Sequence, residues 1–496
     1  MRAVNYGTML NAYPDSMGGT LGEITKILKR PEMKDVFSSF YILPSLYHSD
    51  LDRGFCVVDY GLNEEFATKQ DMDDLQDMGI DLKLDFVLNH ASVMSPQFQD
   101  LVEKGEDSVY KDFFINWNKF WEGCGSMTSE GYIQPYEAYI KDMFFRKPGL
   151  PILMVQFPDG REVPYWNTFY QKVWEEDGRR KYLGQMDLNI QSDNVWKFYD
   201  ETLCRLSGYG AQIIRLDAFA YAPKAPGEKN FMNEPGTWEV LERVKGLADK
   251  YSLVLLPEIH ASYREGVYKK IAKKGYMTYD FFLPGLIIDA LEHSDGSYLQ
   301  AWAEELMIQK IQVVNMLGCH DGIPLLDLKG LLPDERIREL IDIVVGRGGY
   351  VKDLHGAKNI YYQVNATYFS ALGEDERKLL LARAIQMFMP GKPQVWYLDL
   401  LAGSNDYEAV RLAGEGGHKE INRTNLKLED VEAALSKDIV KRQLEILRFR
   451  NTSKAFGANA KMEFSVCESK IEISWINEGE MARLFADLAE YTFSYE

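Results

Sequence analysis

Short apolar runs alternate along this chain with longer stretches in which apolar residues recur every three or four positions. Such alternation is the pattern of βα units around a parallel sheet. Eight runs have strand character, at 4–10, 38–43, 81–88, 212–216, 253–257, 278–282, 312–317 and 394–398. Amphipathic helical patterns lie between them, for example over 65–78, 195–207 and 237–250. Eight such strands predict an α/β fold, a (β/α)8 TIM barrel.

Two connections are too long for simple βα loops. Residues 90–190 carry many aromatic and turn residues, and residues 322–375 contain Gly346-Arg347-Gly348-Gly349. We therefore expect inserted subdomains after strands 3 and 7, with barrel parts at 1–89, 191–321 and 376–450. Beyond Arg450 the pattern changes to period-two alternation, as in 462–466 and 471–475, which predicts a small C-terminal β domain over 451–496. A segment of that length is too short to fold alone and is expected to pack on the barrel.

Composition narrows the function. The chain of 496 residues is 46% hydrophobic, enough for a large core, and carries 29 Tyr, 25 Phe and 9 Trp. Aromatic rings serve as stacking platforms for sugars, although a core also uses them. The net charge of −19 repels nucleic acid and anionic membranes, so neither is an expected partner. Five widely spaced cysteines form no CxxC pair, and no run of about 18 apolar residues occurs. The N-terminus lacks the apolar stretch of a signal peptide. A soluble, cytoplasmic protein without a structural metal is expected.

In a barrel of this kind, functional residues stand at the C-terminal ends of strands. Strand 3 ends in Asp85-Phe86-Val87-Leu88-Asn89-His90, and strand 4 in Arg215-Leu216-Asp217. Strand 5 leads into Pro257-Glu258, and strand 7 into Cys319-His320-Asp321. Carboxylates converging on one rim suit glycosidic bond chemistry, in which one protonates the leaving oxygen and another engages the anomeric carbon. Arg215 and Asp217 lie two residues apart and point to the same face of their strand. The guanidinium favours an ionised Asp217, whereas Glu258, after an apolar run, is expected to have a raised pKa. Any one of these residues alone is more often a helix cap or a core group; four rim motifs in order reverse that weighting.

The motifs Asp85 to His90, Arg215 to Asp217, Glu258 and His320-Asp321 resemble those of the α-amylase family of glycoside hydrolases. The resemblance implies Asp217 as covalent nucleophile, Glu258 as acid/base and Asp321 as transition-state stabiliser. His90 and His320 would bind the glucosyl ring, and Arg215 would orient Asp217. Further stretches are similar to the sucrose phosphorylase group of that family: Ile42-Leu43-Pro44, Asp52-Arg53-Gly54-Phe55, the loop Phe144 to Pro151, Cys319 to Ile323, Tyr362-Gln363-Val364-Asn365, Pro393 to Tyr397, and Glu420-Ile421-Asn422-Arg423.

This narrower resemblance implies that Asp52 and Arg423 close the glucose subsite and that Phe55 stacks on the sugar. Gln185 would face the acceptor side, with Tyr221 and Gln363 nearby. Arg146 and Lys147 are the cations expected to meet phosphate. The implied reaction is retaining phosphorolysis of sucrose or a related α-glucoside to α-glucose 1-phosphate, without metal or organic cofactor, by a monomer or homodimer. The acceptor would be fructose, fructose 6-phosphate, glycerol or glycerate. Sucrose-specific members place an acidic residue near Lys358-Asn359-Ile360, and none stands there. The segment 166–181 is also longer than in the group. A hydrolase using water is the alternative from the same residues; a non-catalytic carbohydrate-binding barrel is the alternative from another class.

Overall fold

A computed structural model describes residues 4–176, 179–353, 361–414 and 416–496. Its principal sheet contains eight strands: β1 (Met9–Ala12), β2 (Ser39–Ile42), β3 (Asp81–Val87), β4 (Ala211–Asp217), β5 (Val254–Pro257), β6 (Thr278–Asp280), β7 (Val313–Met316) and β8 (Lys392–Trp396). Their order is β5-β4-β3-β2-β1-β8-β7-β6, so the last strand pairs with the first and the sheet curls into the nearly closed (β/α)8 barrel. The pairing is parallel, with Met9 opposite both Ser39 and Gln394. These strands are almost wholly buried, which is why they read as mainly apolar runs, with Lys83, Asp85, Arg215 and Lys392 as buried exceptions.

Strand 1 begins later than its apolar run suggests, at Met9 in place of residue 4. The preceding segment is held by side chains instead: Asn5 accepts from the buried Lys392 ammonium, and Thr8 hydroxyl donates to the Val36 carbonyl. Strand 8 ends earlier than expected because Tyr397–Leu400 turns into a helix. The helix expected from residue 65 starts at Lys69, where Thr68 and Asp71 form a reciprocal capping box. The helices Asp193–Gly208 and Gly236–Lys250 follow their sequence patterns closely.

The long connections hold their own structure. After β3, a short strand His90–Ser92 pairs antiparallel with Arg179–Asp187, which in turn pairs with Gln171–Glu176. The same region has an aromatic core of Trp117, Trp121 and Trp166 with Ile115. After β7 come the helix Asp334–Gly346 and the hairpin strands Tyr350–Asp353 and Tyr361–Asn365. The C-terminal segment is an antiparallel meander of β9 (Lys461–Cys467), β10 (Lys470–Asn477), β11 (Glu480–Asp487) and β12 (Thr492–Tyr495). Trp475 fastens it to the helix Glu376–Phe388, donating its indole N–H to the Phe388 carbonyl at 2.7 Å. By density of contacts the chain divides into two compact units. One comprises Leu43–Glu64 and Leu84–Glu258; the other comprises residues 4–42, Glu65–Lys83 and Ile259–Glu496.

Candidate active site

In the first unit, β4 carries Arg215 and Asp217 on one face, as the two-residue spacing requires. Ala218, in the left-handed region with φ 51°, then turns the chain sharply away. Glu258 is the first residue after β5, and its N–H donates to the Leu216 carbonyl. Arg215 links the cluster. One Nη bonds Asp85 and lies 3.0 Å from Asp217 Oδ1, and the other lies 2.6 Å from Glu258 Oε2. The guanidinium also sits over the Phe55 ring, 5.3 Å from its centroid.

This sharing changes the charge balance expected from sequence. Desolvation pushes the Asp217 carboxyl up to about 7; Arg215 opposes that shift, and Glu258, Asp85 and Asp52 add to it. A guanidinium divided among three carboxylates does not hold Asp217 in the ordinary range. Asp217 is therefore poised near neutrality, not firmly ionised as its neighbour in sequence suggested.

Phe55 is aimed by a strained turn. Asp52, Arg53 and Gly54 all have positive φ, of 54°, 46° and 110°. A Cβ on Gly54 would lie 2.1 Å from the Ser45 amide nitrogen, so only glycine fits. His90 contacts the Phe55 carbonyl through Nε2 at 3.0 Å and packs beside Phe169. Burial lowers its pKa, so the ring is neutral at pH 7. Gln185 is buried against this histidine, 3.2 Å from Nε2, and its Oε1 accepts from the Tyr170 N–H.

Arg146 donates to the Tyr221 hydroxyl at 2.9 Å and lies over the Phe169 ring. Lys147 bonds Asn167, and burial lowers its pKa to about 8. Sequence reasoning missed a second buried ion pair: Lys224 Nζ lies 2.8 Å from Asp187 and 3.0 Å from Asn89 Oδ1. Asp187 also accepts from the Thr168 N–H and hydroxyl. This network fixes the chain before His90 to the end of the strand that carries Gln185.

The second unit holds the remaining candidates. Asp321 is bonded by Lys419, lies 3.7 Å from Arg423 Nη2, and has His320 Nε2 at 3.5 Å. Burial would raise its pKa, but Lys419, His320 and Arg423 outweigh it and hold the carboxyl well below the usual range. Arg423 Nε donates to the His320 carbonyl at 2.7 Å, and its guanidinium lies over Tyr13. Tyr13 in turn meets the His320 ring edge-on. Gln363 is buried and accepts from the Gly322 N–H at 3.2 Å. Lys419 and Tyr13 were not singled out from sequence. Lys419 lies only one residue outside the Glu420 to Arg423 motif, which was the available signal. The stretch Lys358-Asn359-Ile360 lies outside the described residues.

Residues 12–317 match the family described as alpha amylase, catalytic domain. The chain belongs to the α-amylase family, and within it groups with enzymes of the sucrose phosphorylase type. It is 53% identical to a sucrose 6(F)-phosphate phosphorylase of Ilumatobacter coccineus, over 98% of this chain and 94% of that protein. A sucrose phosphorylase of Streptococcus mutans is 34% identical over 92% of this chain and 89% of its own. The crystal structure of sucrose 6F-phosphate phosphorylase from Thermoanaerobacter thermosaccharolyticum superposes with a TM-score of 0.89 at 35% identity, covering 99% of this chain and 95% of that one.

Proposed function

We propose that the protein is a retaining phosphorylase that cleaves the α-glucoside of fructose 6-phosphate with inorganic phosphate. Asp217 attacks the anomeric carbon while Glu258 gives its proton to the departing acceptor oxygen. The resulting β-glucosyl ester is attacked by phosphate, whose proton returns to Glu258, and α-glucose 1-phosphate leaves with net retention. Asp321, held ionised by Lys419 and Arg423, steadies the sugar hydroxyls and the positive charge that develops on the ring. Phe55, His90, His320, Asp52 and Arg423 bind the glucosyl unit.

The observation that carries the mechanism is the grip of one guanidinium on two carboxylates. Arg215 reaches Asp217 with one Nη and Glu258 with the other. Held on one guanidinium, the two carboxylates stand side by side at one rim, as a nucleophile and an acid/base that serve a single anomeric carbon must. A phosphorylated acceptor is supported by the names of the relatives, two of which act on sucrose 6(F)-phosphate. It is also supported by Arg146 and Lys147, which the inserted segment 90–190 contributes beside Tyr221 and Asn167. Five free cysteines suit the reducing cytoplasm, where we place the protein.

Incubation with sucrose 6F-phosphate and with sucrose, each with and without phosphate, tests the reading. Glucose 1-phosphate should form only when phosphate is present, and with the higher kcat/KM from the phosphorylated sugar. Free glucose at the same rate in both buffers would establish hydrolysis instead. Equal or greater kcat/KM for sucrose would remove fructose 6-phosphate as the acceptor.

A further inference from the structure

The strand Gln171–Glu176 is the outer member of its three-stranded sheet, bonded on one side to Arg179–Asp187. Lys172 through Glu176 are all exposed, including Val173 at 45% and Trp174 at 38%, and Tyr170 just before them is 46% exposed. A sheet edge bearing large apolar side chains is a template for another strand. We infer that this edge joins antiparallel to the same strand of a second copy, about a two-fold axis through Trp174.

The register follows from backbone geometry and charge. Along a strand, alternate residues turn their N–H and C=O groups to the same side, so a two-fold antiparallel pair must match residues of equal parity. Placing Trp174 opposite its own copy sets Lys172 against Glu176 of the second chain, and Glu176 against its Lys172. The axis therefore carries an aromatic pair flanked by two ion pairs. The three side chains share one face, as the Lys172 ammonium 6.0 Å from the Trp174 ring centre already shows. Centring on Val173 instead would face Lys172 with Trp174 and make no ion pair. A charged edge serves as a device against pairing when self-association brings like signs together; here it brings opposite signs together. The net charge of −19 on each copy opposes association generally, which makes this local complementarity the deciding term at physiological salt.

Sedimentation of the full chain over a wide concentration range tests the inference. A reversible dimer is expected for the natural sequence. Lys172→Glu and Glu176→Lys should each weaken it by about tenfold or more, because each replaces two attractive cross-strand pairs with two repulsive ones. The doubly reversed protein should recover dimerisation, and so should an equimolar mixture of the two single variants. Unchanged phosphorolysis by every variant confirms that the fold is intact. A natural chain that stays monomeric overturns the inference, as does a dimer indifferent to both substitutions or a mixture that fails to associate.

Discussion

Arg215 divides one positive charge among Asp85, Asp217 and Glu258, and the division has measurable consequences. Because Asp217 titrates near 7 in the folded chain and near 3.8 unfolded, its ionisation opposes folding increasingly from about pH 4 and fully above 7. Asp217→Asn should therefore raise the melting temperature at pH 8, with the gain vanishing below about pH 4, while turnover falls by about 10⁴-fold. If Asp217 is the nucleophile, as proposed, kcat/KM of the natural enzyme should rise with pH through about 7 as its carboxyl ionises. Asp321 behaves in the opposite sense. Its depressed pKa contributes stability above the ordinary carboxylate range, lost as pH falls through the folded value. Lys419→Met removes its bonded cation and should cost about 1–2 kcal/mol at pH 7, since Lys419 is partly exposed. Urea unfolding at neutral and acid pH should show the difference shrinking in acid.

At the scale of elements, the turn before Phe55 and the tryptophan cluster have separate roles. Gly54→Ala meets both a forbidden φ and the Ser45 backbone, so it should displace Phe55 and lower kcat/KM at least about tenfold. Steady-state kinetics would show this. Trp166→Ala should cost about 3–5 kcal/mol within its own segment. Hydrogen exchange should quicken around residues 115–166 while β1 and β2 stay protected. Strands were readable from sequence because buried parallel strands are short, mainly apolar runs, and Asp217 and Glu258 were readable because they stand where such runs stop. Lys419 and Lys224 were not, because a buried lysine leaves no local pattern and its partner carboxylate lies far along the chain. The neutral poise of Asp217 was hidden for a related reason. The sequence sets Arg215 beside Asp217, but only folding brings Asp85 and Glu258 to compete for it.

For the whole molecule, the charge of −19 faces the phosphate anion that phosphorolysis consumes. Long-range repulsion of phosphate is screened as the Debye length shortens. From very low to physiological ionic strength, kcat/KM for phosphate should rise several-fold, while binding of uncharged sugars changes little. Stopped assays at fixed pH across a salt series would measure it; a fall with salt would mean that Arg146 and Lys147 dominate the field felt by the arriving anion.

Met9 pairs with Gln394, so the first strand of the ring has the eighth as its neighbour. During synthesis, one row of amides on Met9–Ala12 waits until residue 396 has cleared the ribosome, an interval on the order of tens of seconds at usual elongation rates. Nascent chains halted anywhere before that point expose a sticky flank, and messages cut short in this gene would yield aggregates in place of a smaller working enzyme.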